Sequence, residues 1–122
     1  RIAARMQLWH DLESAGMTTT PETPEPTRSD CHPWGAHPLF HLAATVAGIR
    51  PATFGFARVA VDPVHGFGLQ RVATRIPHPL GQVNLEIERH GASWRGQLAT
   101  PVPATTPAGA LPAGRHTVEW PA

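Results

Sequence analysis

The chain has 122 residues and a formal net charge of +1 with its histidines neutral, enough for one modest core or for the tail of one domain followed by a small second one. All ten basic residues are arginines spread along the sequence, which excludes Schiff-base and catalytic-lysine chemistry and leaves no nucleic-acid or membrane footprint. The single cysteine, Cys31, closes no intrachain disulfide, and no apolar run approaches the roughly 18 residues of a membrane span.

The first segment, RIAARMQLWHDLESAG, shows helical periodicity from its first residue. Ile2, Met6, Trp9 and Leu12 fall on one face, and Gly16 is placed to end the helix near Ser14. No capping residue precedes Arg1 and no initiating Met or signal peptide is present, so the chain is expected to be cut from something longer. Abundant Ala, Pro and Gly beside arginine as the sole strong base suit a GC-rich bacterial genome.

A proline-dense loop follows, TTTPETPEPTRSDCHPWGAHP from Thr18 to Pro38. The next stretch, HPLFHLAATVAG, reads as a second helix with Pro38 in its first turn, Gly48 just past its end, and Leu39, Leu42, Ala43 and Val46 on its buried face. Pro51 forbids continuation. From about Ile49 the texture changes to short alternating runs divided by Gly and Pro, the mark of an all-β unit. FARVAVDP puts Val59 and Val61 on one face. QVNLEIERH alternates Val83, Leu85 and Ile87 with Gln82, Asn84, Glu86 and Glu88, SWRGQLAT repeats this with Trp94 and Leu98, and a hairpin is expected near His90 and Gly91. PVPATTPAGALPAG reads as a Pro/Ala/Gly loop, and RHTVEW closes with Val118 and Trp120 inward. The expected fold class is an α+β fragment: two helices around an unusual loop, then a small antiparallel β-sandwich. Two helices cannot bury both their faces alone, so they are expected to pack on upstream chain.

The loop carries the chemistry. Glu22 and Glu25 are flanked by Pro21, Pro24 and Pro26, which restrict the backbone and lower the entropic cost of holding a carboxylate. Either could serve as a general base, and a solvated acidic loop is the competing reading. Cys31, His32, His37 and His41 suggest a metal set, with His37 and His41 four apart. The glutamate of the metalloprotease helix motif is absent, so capping or packing histidines are the alternative. A Cys31–His32 nucleophilic pair is disfavoured because chain neighbours diverge, and Cys31 is expected to be a small buried hydrophobe. Trp34 is either a core aromatic or a platform for a pyranose face. Arg28 could pair with Glu22, Glu25 or Asp30 as an exposed ion pair. Asp11, Glu13, Asp62, Glu86, Glu88 and Glu119 look structural.

The run TTTPETPEPTRSDCHPWGAHPLFHLAATVAGIRP, with GFARVAVDP and IPHPLGQVNLEIER after it, resembles the C-terminal end of bacterial α-L-rhamnosidases of glycoside hydrolase family 78. The resemblance implies that residues 1–48 are the last helices and catalytic loop of an (α/α)6 barrel and residues 49–122 a C-terminal β-sandwich. It implies hydrolysis of terminal non-reducing α-L-rhamnose with inversion, Glu22 as general base with Glu25 as runner-up, and His32 in the sugar pocket, joined as substrate contacts by Trp34 and Arg28. Pro33 stands where relatives often have alanine, which bears on helix geometry. Inversion needs a second carboxyl roughly 6.5–9.5 Å away, and the resemblance places that acid upstream, so this chain alone is expected to be inactive. Expected partners are a rhamnose-containing glycoside and the upstream barrel, with no cofactor, metal, nucleic acid or membrane. The expected setting is a soluble bacterial protein, cytoplasmic or periplasmic. The alternatives are a non-catalytic accessory β-sandwich that binds carbohydrate or stabilises a neighbour, and a small metal-binding protein.

Overall fold

A computed structural model describes residues 2–23, 26, 28–64 and 68–122. The chain divides into two compact units, Arg1–Phe40 and His41–Ala122.

The first unit begins with α1 (Ile2–Ser14). Its end is closed by two backbone bonds, Met17 N–H to the Leu12 carbonyl at 3.0 Å and Gly16 N–H to the Glu13 carbonyl at 2.9 Å. With Gly16 at φ +82°, this is the left-handed helix stop that satisfies the last free carbonyls. Met6, Leu8, Trp9 and Leu12 are all half-buried. The second helical stretch is less regular than the sequence suggests. A single 3₁₀ turn over Pro33–Ala36, started by Pro33, leads into α2 (His37–His41).

A wide π-type turn over Leu42–Val46 follows, closed by Ala47 N–H to the Leu42 carbonyl at 2.9 Å. Two carbonyls at the end of this stretch are taken by the strand region that follows: Val46 accepts from Val64 N–H and Gly48 from Asp62 N–H, each at 3.1 Å. The extra residue in a wide turn moves later side chains about 100° round the axis. Ala47, just past the wide turn, and Ala44 within it are buried, and Leu39 and Leu42, expected to face inward, are exposed.

The second unit holds two four-stranded sheets. One has the order β1 (Ile49–Pro51), β2 (Val59–Val61), β6 (Ala104–Thr106), β7 (Gly109–Leu111), with β2 and β6 parallel and the other pairs antiparallel. The other is an antiparallel meander of β3 (Arg71–His78), β4 (Gly81–His90) and β5 (Ser93–Thr100), completed by β8 (Gly114–Pro121). Inward residues of both sheets meet in one core: Ile49, Val59, Val61 and Ala104 from the first, Val72, Val83, Leu85, Ile87, Trp94, Leu98, Val118 and Trp120 from the second. Each fully buried large aliphatic contributes about 1.5–3 kcal/mol of burial. This is the expected β-sandwich, antiparallel as expected except for the parallel β2–β6 pair, and Val59, Val61, Val83, Leu85, Ile87, Trp94, Leu98, Val118 and Trp120 point as the alternation requires.

The expected hairpin is present: His90 pairs with Ser93 across a two-residue turn. PVPATTPAGALPAG corrects the loop reading, since Ala104–Thr106 and Gly109–Leu111 form a short hairpin inside it. Prolines 103, 107 and 112 lie outside the paired positions, and Ala104 and Thr106 alternate inward, so the three-residue strands keep their ladders.

His78, at the end of β3, fastens the sandwich rim. Its Nδ1 accepts from Leu80 N–H at 3.1 Å, which leaves Nε2 as the donor to the Phe56 carbonyl at 2.8 Å. Phe56 carries a positive φ of 59°, a conformation that costs a non-glycine residue about 1–2 kcal/mol, and its ring lies 4.8 Å from that of His78. His78→Ala removes both bonds and the ring contact. It is expected to lower stability by about 2–3 kcal/mol, read as a drop in the urea midpoint; a change below about 0.5 kcal/mol, the range of neutral surface substitutions, would contradict the clasp.

Candidate functional site

The proline-rich loop of the first unit is fastened across its width. His32 N–H donates to the Thr20 carbonyl at 2.6 Å, and the Thr20 hydroxyl donates to the His32 carbonyl at 2.8 Å. Further out, Glu22 N–H reaches the Ser29 carbonyl at 2.9 Å, and the Thr19 hydroxyl bonds the Asp30 carbonyl. Prolines withdraw backbone donors, and the threonine hydroxyls supply part of what the backbone lacks. The 3₁₀ turn packs on this frame: a Cβ on Gly35 would stand 2.9 Å from the Thr20 Cβ and 3.0 Å from the Pro21 carbonyl oxygen. From α1, the Trp9 indole N–H donates to the Gly35 carbonyl at 3.1 Å.

Between α1, the loop and the 3₁₀ turn lies a cavity of about 190 Å³, walled by Trp9, Leu12, Pro21, Glu22, Trp34 and His37 among others. Among the described residues Glu22 is its one acidic lining residue, with a side chain only 10% exposed. Arg28 grips both carboxylate oxygens, Nε to Oε2 at 2.9 Å and Nη2 to Oε1. Of the partners left open for Arg28, Glu22 is engaged. The guanidinium itself is 83% exposed, so the pair is lopsided, a wet cation on a sheltered anion. A carboxylate offers about four lone-pair sites, of which Arg28 engages two.

Trp34 is 61% exposed, which rules out the core-aromatic reading, and its ring lies 4.3 Å from that of His32. His32 Nδ1 is buried with no hydrogen-bond partner among the described residues, yet His32 is not a lining residue. Glu25 lies outside the described residues. Cys31 is exposed, which corrects the expectation of a small buried hydrophobe; it sits on the outward turn between Asp30 and the bonded His32. His37 Nδ1 lies 2.8 Å from the Trp34 carbonyl and His41 Nδ1 3.2 Å from the Thr45 hydroxyl. Among the described residues no group of three His, Cys, Asp or Glu is placed to hold a metal ion. Two cavity residues escaped the sequence reading: His37, weighed there as a ligand or cap, and Trp9, taken for a helix-face residue. The need of a sheltered indole N–H for an acceptor was the available signal.

No family model matches the sequence, and no curated protein matches it. Solved structures do. The native α-L-rhamnosidase of Aspergillus terreus aligns with 91% of this chain at 22% identity and a TM-score of 0.75, using 15% of its own length. The Streptomyces avermitilis α-L-rhamnosidase, complexed with L-rhamnose, aligns with 92% at 18% identity and a TM-score of 0.72, using 14% of its length. The fold is that of a segment of α-L-rhamnosidases. The chain thus spans about one-seventh of the rhamnosidases it matches. The cavity of about 190 Å³ is smaller than the roughly 300–1,000 Å³ of a typical ligand pocket. Among the described residues no helix is long and apolar enough to cross a membrane.

Proposed function

We propose that this chain is the C-terminal part of an inverting α-L-rhamnosidase, with residues 1–48 closing an (α/α)6 barrel and residues 49–122 forming the sandwich behind it. The observation that carries this reading is the alignment of more than nine-tenths of the chain with two α-L-rhamnosidases, one of them holding L-rhamnose. The sheltered Glu22 carboxylate in a braced loop supports it, since a general base needs fixed geometry more than exposure. In this reading Glu22 activates the water, Trp34 offers its face to the sugar ring, His32 supplies a ring nitrogen to a hydroxyl, and Arg28 orients the carboxylate. The partner acid comes from the rest of the parent, and the 122-residue chain hydrolyses nothing.

A non-catalytic accessory role is the second reading, favoured by one observation: Arg28 occupies both oxygens of Glu22. The test is to assay the longer parent and this chain on an aryl α-L-rhamnoside, following the first-formed anomer by NMR. The expected result is β-L-rhamnose released by the parent and no release by the chain. A parent without α-L-rhamnosidase activity overturns the enzyme reading, α-L-rhamnose as first product overturns inversion, and turnover by the chain overturns its dependence on the parent.

A further inference from the structure

The outward face of the β3–β4–β5–β8 sheet forms a groove of about 700 Å³, within the range of ligand-binding clefts. Its centre is a cross-strand row set by register: Arg75 opposite Asn84, Asn84 opposite Ala99, Ala99 opposite Arg115. Paired residues share a face, and strands lie about 4.8 Å apart, so the two arginine stems rise about 14 Å from one another. Ala73 and Ala99 keep the floor low between them.

Charge is arranged unevenly on this face. Arg71 is engaged by Glu86 and Glu88, and Arg95 by Glu119. Arg75 and Arg115 form no ion pair with a described residue. Between them, Asn84 lines the groove and its amide oxygen is buried with no hydrogen-bond partner among the described residues. A ligand hydroxyl is the donor this atom lacks. Gln82 and Gln97 add amides along the walls. Among the described residues no aromatic ring lines the groove, so they offer no platform for stacking a neutral pyranose. Recognition has to come from charge and amide hydrogen bonds, and a guanidinium fork matches a carboxylate.

We propose that this groove binds an acidic saccharide, with Arg75 and Arg115 holding uronate carboxylates and Asn84, Gln82 and Gln97 bonding the hydroxyls between them. The site lies wholly within the second unit and stands whether or not the rhamnosidase reading holds.

The experiment titrates the 122-residue chain with trigalacturonate, its methyl ester and tripolyphosphate, by calorimetry and by NMR shifts. Trigalacturonate is expected to bind, to shift the amides of residues 73–75, 82–86 and 97–99, and to bind at least tenfold more tightly than either the ester or tripolyphosphate. The variant Arg75→Ala/Arg115→Ala is expected to weaken it at least tenfold with an unchanged melting temperature, both side chains being exposed, and Asn84→Asp to weaken it through added negative charge. Absence of binding, equal affinity for the ester, or full affinity in the arginine variant overturns the proposal. Equal affinity for tripolyphosphate reduces the groove to a general anion site and overturns it as well.

Discussion

Glu22→Gln in the full-length parent is expected to lower kcat on an α-L-rhamnoside by about 10²–10⁴-fold while KM changes little. Glutamine keeps the length and shape of the side chain and can still accept one bond from Arg28, so the cavity wall stays in place. What it loses is the capacity to take a proton from water, which matters only in the transition state and therefore falls on kcat. Because Arg28 is largely exposed, the pair itself contributes little to stability, roughly 0–1 kcal/mol.

Comparison with Arg28→Ala separates the roles. If Glu22 is the base and Arg28 orients it, the arginine variant keeps measurable turnover and the double variant is no worse than Glu22→Gln alone. If Glu22 serves only to anchor the loop, both single variants soften the loop to similar extents and leave kcat near the parental value. The second pattern would remove Glu22 from the mechanism and turn attention to Glu25 or to the accessory reading.

The parts of the fold that were legible in the sequence are those where one physical signal dominates. In β4, Val83, Leu85 and Ile87 alternate with polar residues over a whole strand, and all three are buried. At the end of α1, Gly16 supplies the left-handed residue that the helix stop requires. β3 was missed because its inward positions include Thr74 and His78 beside Val72 and Ile76, which dilutes the alternation. The β6–β7 hairpin was missed because prolines at its ends and turn outweigh three-residue strands in any composition reading. In the site, the opposition of the loop's two arms could be anticipated only loosely, because it depends on Thr20 meeting His32 and Glu22 meeting Ser29 across the prolines. The Glu22–Arg28 pair lay among three options in the sequence, and the bond from Glu22 N–H to the Ser29 carbonyl holds the two arms together where it forms.

Gly48→Ala is expected to be the most damaging single change in the second unit, with loss of at least 4 kcal/mol and little folded protein recovered. Two costs coincide there. Its φ of +68° is a conformation that costs an L-residue about 1–2 kcal/mol. A Cβ would also stand 1.8 Å from the Asp62 carbonyl oxygen and 2.1 Å from its carbonyl carbon, and both are backbone atoms with no rotamer to escape into.

Moving that backbone is itself costly, because Asp62 N–H bonds the Gly48 carbonyl at 3.1 Å and Ile49 pairs with Val61 immediately beyond. The bond and the pairing lock the approach from both sides, so the clash is transmitted into β1 and β2 and the core residues Ile49, Val59 and Val61. Gly91→Ala is the matched control in the same unit: its φ of +63° is nearly the same, but no atom lies within 4 Å of the added carbon. That variant is expected to lose only the conformational share, about 1–2 kcal/mol. Urea unfolding of both variants measures the difference, and equal losses would mean that the junction of the helical stretch and the sandwich can open to admit a methyl group. A large gap between them assigns the glycine to close backbone approach, where its missing Cβ outweighs its conformational freedom.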